Sequence, residues 1–366
     1  MSEAQERARD LGIPFDGQPG PLNAITDVPG VEVGHSTIIR GDGPLKVGEG
    51  PVRTGVTAIF PLGKEGPEGV FAGWFALNGA GEMTGSVVLS EFGELHGPVL
   101  LTNTVSVGTV QAATIEWNRQ RIDDENAVYA RASPVVAETW DGHLNDIYGQ
   151  HVKEKHVFEA LDGASSGPVV EGSVGGGTGM TAYRLKAGIG TSSRKVKTRQ
   201  GDFNLGVLVQ ANFGLLEHLI IAGVPVGREL MANRVSERPG RTEGRSVIIV
   251  VATDAPLLPV QLDRIARRAS LGLARDGSIA TDGSGDIFLA FSTASKVRAG
   301  ETEMRQIKML TDIDPLFEGT VQATEEAVIN ALVAADEMTG RDGHHVPALP
   351  KDKVRDLLQR YNRLVE

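Results

Sequence analysis

Polar side chains at the ends of apolar segments are the first candidates for chemistry in this sequence. Ser246 opens the run Ser-Val-Ile-Ile-Val-Val-Ala-Thr, which follows an almost wholly polar stretch and is typical of a buried strand. Ser284 and Asp286 lie two residues apart before another apolar segment, a spacing that can place both side chains on one side of the chain. Asn212 ends a third such segment, where an amide can donate to an oxyanion. The alternative interpretation is that Ser246 is only a strand-edge residue, that Ser284 and Asp286 belong to a solvated turn, and that the Asn212 amide caps a turn.

The run Gly175-Gly176-Gly177-Thr178-Gly179 is open to two interpretations. Glycines of this kind can cradle a phosphate, or they can allow a tight backbone crossing that no other residue fits. The run lacks the Lys-Ser/Thr pair of a P-loop, and the segment before it is short and broken. We therefore predict a tight crossing or a loop that shapes a pocket wall.

The eight histidines do not form a metal-binding pattern. His151 and His156 are five residues apart and do not share a helical face, while His344 and His345 lie in a turn rich in Gly and Asp. No His-Glu-x-x-His pairing occurs. The sequence predicts surface histidines here.

Composition excludes several classes of protein. The 366 residues include no Cys, which excludes a disulfide framework, a thiolate nucleophile and a Cys-ligated metal site. The net charge of −11 without a basic block argues against nucleic-acid or anionic-membrane partners. Apolar runs are far shorter than the ~18–20 residues of a membrane span. The charged N-terminal residues 1–11 lack an apolar h-region, so we expect a cytoplasmic protein without a signal peptide.

Strands and helices alternate along the chain, which predicts an α/β protein with a layered arrangement, α on β on β on α. Predicted strands cover residues 55–60, 99–101, 205–210, 246–253 and 287–291, and predicted helices cover residues 112–118, 134–141, 258–273 and 314–338. Residues 41–51 and 236–245 are predicted surface loops.

A set of motifs extends over nearly the whole chain. They are residues 22–35, 53–57, 78–85, 134–139, 144–146, 175–180, 188–194, 207–212, 246–257, 283–286 and 321–327. In these motifs and in their order, the chain resembles the self-processing aminopeptidases of the DmpA/BapA type, which include L-aminopeptidase/D-esterase, D-aminopeptidase and β-peptidyl aminopeptidase. The glycine run belongs to this pattern, which further weakens the phosphate interpretation.

The resemblance implies a fold and a maturation step. It implies a single domain, residues 1–366, folded as a four-layer αββα sandwich that is similar to N-terminal-nucleophile hydrolases but topologically distinct from them. It also implies self-cleavage of the Arg245–Ser246 bond into fragments 1–245 and 246–366, by an N→O acyl shift. Members of the family usually have Gly or Asn before the nucleophile, so Arg245 is a departure that could slow the shift. A homotetramer of processed pairs is the implied assembly.

The resemblance also implies roles for individual residues. Ser246 would be the nucleophile, activated by its own α-amino group, by Ser284 and Asp286, or by both. Asn212 would donate to the oxyanion, assisted by Tyr148.

Glu138 would bind the amino group of the substrate, as an exopeptidase requires; without the resemblance, a helix-surface Glu would be the favoured interpretation. The implied activity is release of N-terminal residues, L-α, D-α or β, from small peptides, amides and esters, with no metal or organic cofactor. Two alternatives remain: a metal-dependent aminopeptidase or amidase, and a non-catalytic small-ligand-binding protein that kept the fold.

Overall fold

The computed structural model describes residues 5–66, 68–123, 125–232, 246–298 and 309–365. The strands in these ranges are β1 Glu32–Arg40, β2 Val52–Phe60, β3 Gly69–Gly79, β4 Glu94–Leu95, β5 Val99–Asn103, β6 Val135–Thr139, β7 Thr181–Ala182, β8 Leu185–Lys186, β9 Ile189–Thr198, β10 Gly201–Asn212, β11 Ser246–Thr253, β12 Gly285–Val297, β13 Met338–Thr339 and β14 His345–Val346. The helices are α1 Ser86–Phe92, α2 Val107–Arg121, α3 Glu125–Ala130, α4 Glu154–Asp162, α5 Val226–Ala232, α6 Pro259–Arg275, α7 Asp314–Val333 and α8 Lys351–Arg360.

Two large sheets form the centre of the fold. The larger has the order β4-β3-β12-β11-β10-β9, and the smaller has the order β1-β2-β5-β6. β11 pairs in parallel with β12 and antiparallel with β10. Its continuous apolar run is explained by burial of both faces. Ile248 and Val250 face the smaller sheet, whereas Val247 and Ile249 face helices α6 and α7.

Helices cover the outer face of each sheet. Trp117 of α2 and Leu161 of α4 pack on the smaller sheet with Phe60 and Leu100. On the larger sheet, the amphipathic α6 buries an apolar stripe that includes Leu262. The order of layers is therefore helices, sheet, sheet, helices, which confirms the predicted αββα arrangement. None of the helices in the described ranges is long and apolar enough to cross a membrane.

Most predicted elements lie inside the observed ones, and two differ. The predicted helix 134–141 is wrong, because this segment contains strand β6, Val135–Thr139. A short apolar run fits both structures, and the parallel pairing with β5 decides between them. The helix predicted over 314–338 ends at Val333, and Met338 begins β13. The predicted loop 236–245 lies outside the described residues.

The glycine run is a tight backbone crossing, as predicted. Gly175–Gly177 form one buried 3₁₀ turn that passes close to the strands of both sheets. A Cβ atom on Gly176 would lie 2.7 Å from the Leu101 carbonyl oxygen, and one on Gly177 would lie 2.5 Å from the Ile189 nitrogen. A larger residue at either position would have to displace backbone atoms.

Candidate active site

Ser246 lies at the start of β11, in the middle of the larger sheet. Its register partners are Asn212, at the end of β10, and Gly285, at the start of β12. Ser246 is 5% exposed, so its hydroxyl lies in a largely desolvated position. The pairing thus brings together three sequence segments that the sequence analysis singled out separately.

Ser284 and Asp286 form a buried hydrogen-bonded pair beside this point. The Ser284 hydroxyl donates to Asp286 Oδ1 at 2.6 Å, which confirms that both side chains lie on one side of the chain. Burial raises the pKa of Asp286, and hydrogen bonds from Ser284 and Asn78 oppose that shift. A carboxylate in this arrangement can accept a proton through the Ser284 hydroxyl.

The side-chain amide of Asn212 has a fixed orientation. Its Oδ1 accepts the Thr181 backbone N–H at 2.9 Å, and its Nδ2 donates to the Trp140 carbonyl at 3.0 Å. Because Oδ1 faces the Thr181 N–H, the NH₂ group of Asn212 points away from Thr181. A pre-oriented amide beside a nucleophile is the kind of group that stabilises an oxyanion.

Glu138 lies on strand β6, so its interpretation as a helix-surface residue was wrong. Asn103 ends the neighbouring strand and caps the next turn by accepting N–H bonds from Val105 and Ser106, which presents Thr104 to Glu138. The Thr104 hydroxyl donates to Glu138 Oε2, and the Glu82 backbone N–H donates to Oε1 at 3.0 Å.

The negative charge of Glu138 is available to a cationic ligand. Burial raises its pKa, the two hydrogen bonds lower it, and the charge of Glu82 raises it. Within the described ranges, Glu138 makes no salt bridge to Lys, Arg or His. A buried carboxylate that has no cationic partner among the described residues is suited to bind an ammonium group.

One glycine, Gly81, lies between this carboxylate and the start of β12. A Cβ atom on Gly81 would lie 3.3 Å from Glu138 Oε1 and 3.1 Å from the Gly285 Cα. Gly285 is in turn the register partner of Ser246. Glu138 and Ser246 are therefore close in space, even though they come from different sheets.

Tyr148 lies at the rim of the site. It is 67% exposed on the 3₁₀ turn Ile147–Gly149, and its ring packs edge-on against Trp140 at a centroid distance of 6.0 Å. Its link to Asn212 runs through Trp140, whose carbonyl accepts the Asn212 amide hydrogen bond.

The prediction of a surface position for His151 was wrong. His151 is buried, with Nε2 at 2.8 Å from Asp146 Oδ2 and Nδ1 at 2.7 Å from Arg40 Nη2. The pair of Asp146 and His151 brackets the turn that carries Tyr148, which gives this histidine a structural task. Asp146 and His151 are five residues apart, and the turn between them lets their side chains meet. Residues five apart on a helix would not share a face.

Three further observations concern the site. Arg245, the residue before the predicted cleavage point, lies outside the described residues. Sequence reasoning gave no role to Asn78, Thr104, Thr181 or Trp140, although all four hold a predicted site residue through a hydrogen bond. In the described part of the chain, no group of three or more His, Asp or Glu side chains is arranged to hold a metal ion.

Comparison with known proteins gives concordant matches. The profile of peptidase family S58 matches residues 23–346. The beta-peptidyl aminopeptidase BapA of Sphingosinicella microcystinivorans is 48% identical over 372 residues, covering 98% of this chain and 93% of that protein. The PH0078 protein from Pyrococcus horikoshii OT3 superposes with a TM-score of 0.92 at 46% identity, covering 98% of this chain and 100% of the other.

A second solved structure carries a mechanistic description. It is the L-aminopeptidase D-Ala-esterase/amidase from Ochrobactrum anthropi, with a TM-score of 0.89, 43% identity, and coverage of 98% of this chain and 99% of the other. That protein is described as a prototype for the serine aminopeptidases and as a new variant among the Ntn hydrolase fold.

Proposed function

Because the chain belongs to peptidase family S58 and is a serine aminopeptidase, we propose that it uses Ser246 to release N-terminal residues from small peptides, amides and esters. The observation that carries this proposal is the register at one end of the larger sheet. There Ser246 has Asn212 on one side and Gly285, between Ser284 and Asp286, on the other.

The proposed reaction assigns one step to each group. Ser246 Oγ attacks the scissile carbonyl, and its proton passes to its own α-amino group or, through the Ser284 hydroxyl, to Asp286. Asn212 donates to the oxyanion, and Tyr148 closes the rim beside it. The same base returns the proton to the departing amine or alcohol, and water then hydrolyses the acyl–Ser246 ester.

Glu138 sets the exopeptidase character in this proposal. It binds the ammonium group of the substrate's first residue and so fixes how far that residue reaches toward Ser246. A β-residue places one more carbon between the amine and the carbonyl than an α-residue does. The similarity to a beta-peptidyl aminopeptidase supports β-residues as substrates, and the similarity to an L-aminopeptidase D-Ala-esterase/amidase supports L-α and D-α residues.

We also propose that the chain cuts itself before Ser246 into fragments 1–245 and 246–366. The position of Ser246 at the first residue of β11 supports this, since a strand held on both sides stays in place when the chain before it is cut. The cut exposes an α-amino group on the nucleophile, and such a group titrates near ~7.7–8.0.

A homotetramer of processed pairs is the proposed assembly. An exposed apolar surface around the cleft between α1 and α6 supports further association. It includes Phe92 on α1 and Val260 on α6, which are 67% and 62% exposed. Solvent-exposed apolar residues grouped in this way commonly mark interfaces between subunits.

Comparison of the wild type with Ser246→Ala tests the proposal. Intact mass should show two fragments for the wild type and one chain for Ser246→Ala. Only the wild type should hydrolyse β-alanyl, L-alanyl or D-alanyl p-nitroanilide, and EDTA should not affect it. Ser292→Ala is the matched control, because it removes a buried strand serine that bonds to the Ala255 carbonyl, away from the site. A wild type that stays whole and fully active would refute the processing step, and activity in Ser246→Ala would refute the nucleophile.

A further inference from the structure

The pairing of β3 with β12 contains an irregularity beside Asp286. Phe75 pairs with Phe288 and Ala76 pairs with Ile287, but the next pair joins Asn78 to Asp286. Leu77 is left without a register partner, which defines a β-bulge, and it is 38% exposed.

The bulge changes which side chain meets the carboxylate. With regular pairing, Leu77 would lie opposite Asp286, because residues in an antiparallel pair advance one for one. The extra residue moves Asn78 into that position. An apolar side chain is thereby replaced by a hydrogen-bond donor across from a buried carboxylate, and bulges near functional sites commonly re-aim a side chain in this way.

Asn78 connects Asp286 to the turn that carries Ser284. Its Nδ2 donates to Asp286 Oδ2 at 3.1 Å and to the Ala280 carbonyl at 3.0 Å. Ala280 has a left-handed conformation, with φ of 49°, and the Thr281 carbonyl accepts the Ser284 backbone N–H at 3.1 Å. The amide thus ties the carboxylate to a turn with a strained residue.

We propose that Asn78 is a positioning residue of the reaction, brought into register by the bulge at Leu77. It occupies Oδ2 of Asp286 and leaves Oδ1 directed at the Ser284 hydroxyl. This inference rests on the proposed function, in which Asp286 receives the proton of Ser246 through Ser284.

The electrostatic surroundings of Asp286 make the inference measurable. Burial raises the pKa of Asp286, and the hydrogen bonds from Ser284 and Asn78 lower it. Removal of the Asn78 donor therefore raises that pKa further. Because the proposed base must be ionised, activity in such a variant is lost at a higher pH as the solution is acidified. Asp282, Glu82 and Glu138 lie on the elements around this point and are not among the causes of the shift. Cleavage before Ser246 would add one further ionisable group here, the α-amino group of that residue.

The test measures the pH profile of kcat for Asn78→Ala and Asn78→Asp. Asn78→Ala removes the donor, and the acid limb should move up by about one to two pH units, the size expected for one hydrogen bond to a charged acceptor. Asn78→Asp keeps the shape but sets a second carboxylate against Asp286, so its acid limb should move further. This graded order distinguishes positioning from a loss of folding.

Asn204→Ala is the matched control. Asn204 Nδ2 donates to Asp254 Oδ2 at 2.7 Å near the opposite end of β11, which is the same kind of hydrogen bond away from the site. It should lower Tm and leave the acid limb of the wild type unchanged.

The inference is overturned if the acid limbs of both Asn78 variants coincide with that of the wild type, as they would if the α-amino group of Ser246 were the only base. It is equally overturned if both variants lower Tm and leave the acid limb in place, which is the result expected for Asn204→Ala. Failure of the proposed function has a different signature, since Ser246→Ala would then retain activity.

Discussion

Glu138→Gln should have opposite effects on stability and on activity. The carboxylate is buried, accepts hydrogen bonds from Thr104 and Glu82, and forms no salt bridge within the described residues. Gln keeps the shape, can accept the Glu82 N–H through its oxygen, and can donate to the Thr104 hydroxyl through its amide. What it removes is the negative charge that we propose for the substrate's ammonium group.

The expected loss of activity follows from the burial of the pair. Removing one partner of a buried ion pair costs about 3–5 kcal/mol, and every 1.4 kcal/mol corresponds to a factor of ten. We therefore expect kcat/KM for β-alanyl p-nitroanilide to fall by about 10²–10³-fold. Propionyl p-nitroanilide is the same compound without the amino group, and its kcat/KM should change little.

The expected change in stability has the opposite sign and depends on pH. Burial raises the pKa of Glu138 above its ordinary 4.5, so the folded state holds the proton more tightly than the unfolded state. Stability associated with protonated Glu138 is present below 4.5 and is lost as the pH rises through the folded-state pKa. Without substrate, Glu138→Gln should therefore have a higher Tm than the wild type at neutral pH, and the difference should vanish in acid.

Glu326→Gln supplies the control. Glu326 is equally buried but pairs with Arg9 and Arg194, so its neutral variant should lose stability and keep the preference for a free amino group. The reasoning is refuted if Glu138→Gln hydrolyses the β-alanyl compound within threefold of the wild type. It is also refuted if the two p-nitroanilides lose activity equally, since that result assigns Glu138 a purely structural role.

Three further predictions address two residues of the site, Asn212 and Gly285, and the buried carboxyl group of Asp141, which follows Trp140 in the chain. Asn212→Ala should lower kcat by about 10²–10³-fold through loss of an oxyanion donor, measured under single-turnover conditions. Gly285→Ala should destabilise the protein by about 1–3 kcal/mol in a urea titration, because the new Cβ would lie 2.8 Å from the Ala80 carbonyl oxygen. Burial raises the pKa of Asp141 from 3.8 to about 7, so stability is lost as the pH rises through that window. Asp141→Asn should therefore have a Tm above the wild type in alkaline buffer and similar to it in acid, measured by calorimetry.

The layers of the fold were predictable because buried strands leave a clear pattern. The continuous run after Ser246 can be buried only between two layers, and α6 shows its apolar stripe directly. Residues 134–141 were not predictable, since the decisive contact is the pairing of β6 with β5. The secondary structure of a short apolar segment is decided by the elements that pack or pair with it, and these are distant in sequence.

The residues of the candidate site were more predictable from the sequence than the residues that hold them in place. Ser284 and Asp286 are two residues apart, so their contact follows from local geometry. The task of Asn78 depends on a bulge that shifts register by one residue, and periodicity does not reveal where a strand gains an extra residue. The catalytic and binding roles of all six residues stay predictions; they are Ser246, Ser284, Asp286, Asn212, Tyr148 and Glu138.

The strand order of the larger sheet makes the two proposed fragments interdependent. β11 and β12, from fragment 246–366, lie between β3 and β10, from fragment 1–245. A protein cut before Ser246 is therefore a heterodimer whose two chains alternate within a single hydrogen-bonded sheet, and neither chain holds a complete core. Once denatured, it must refold through a bimolecular encounter that the intact chain avoids. If the proposed cut occurs, folding of the chain before the cut avoids this encounter, because all strands of the sheet are then still covalently linked.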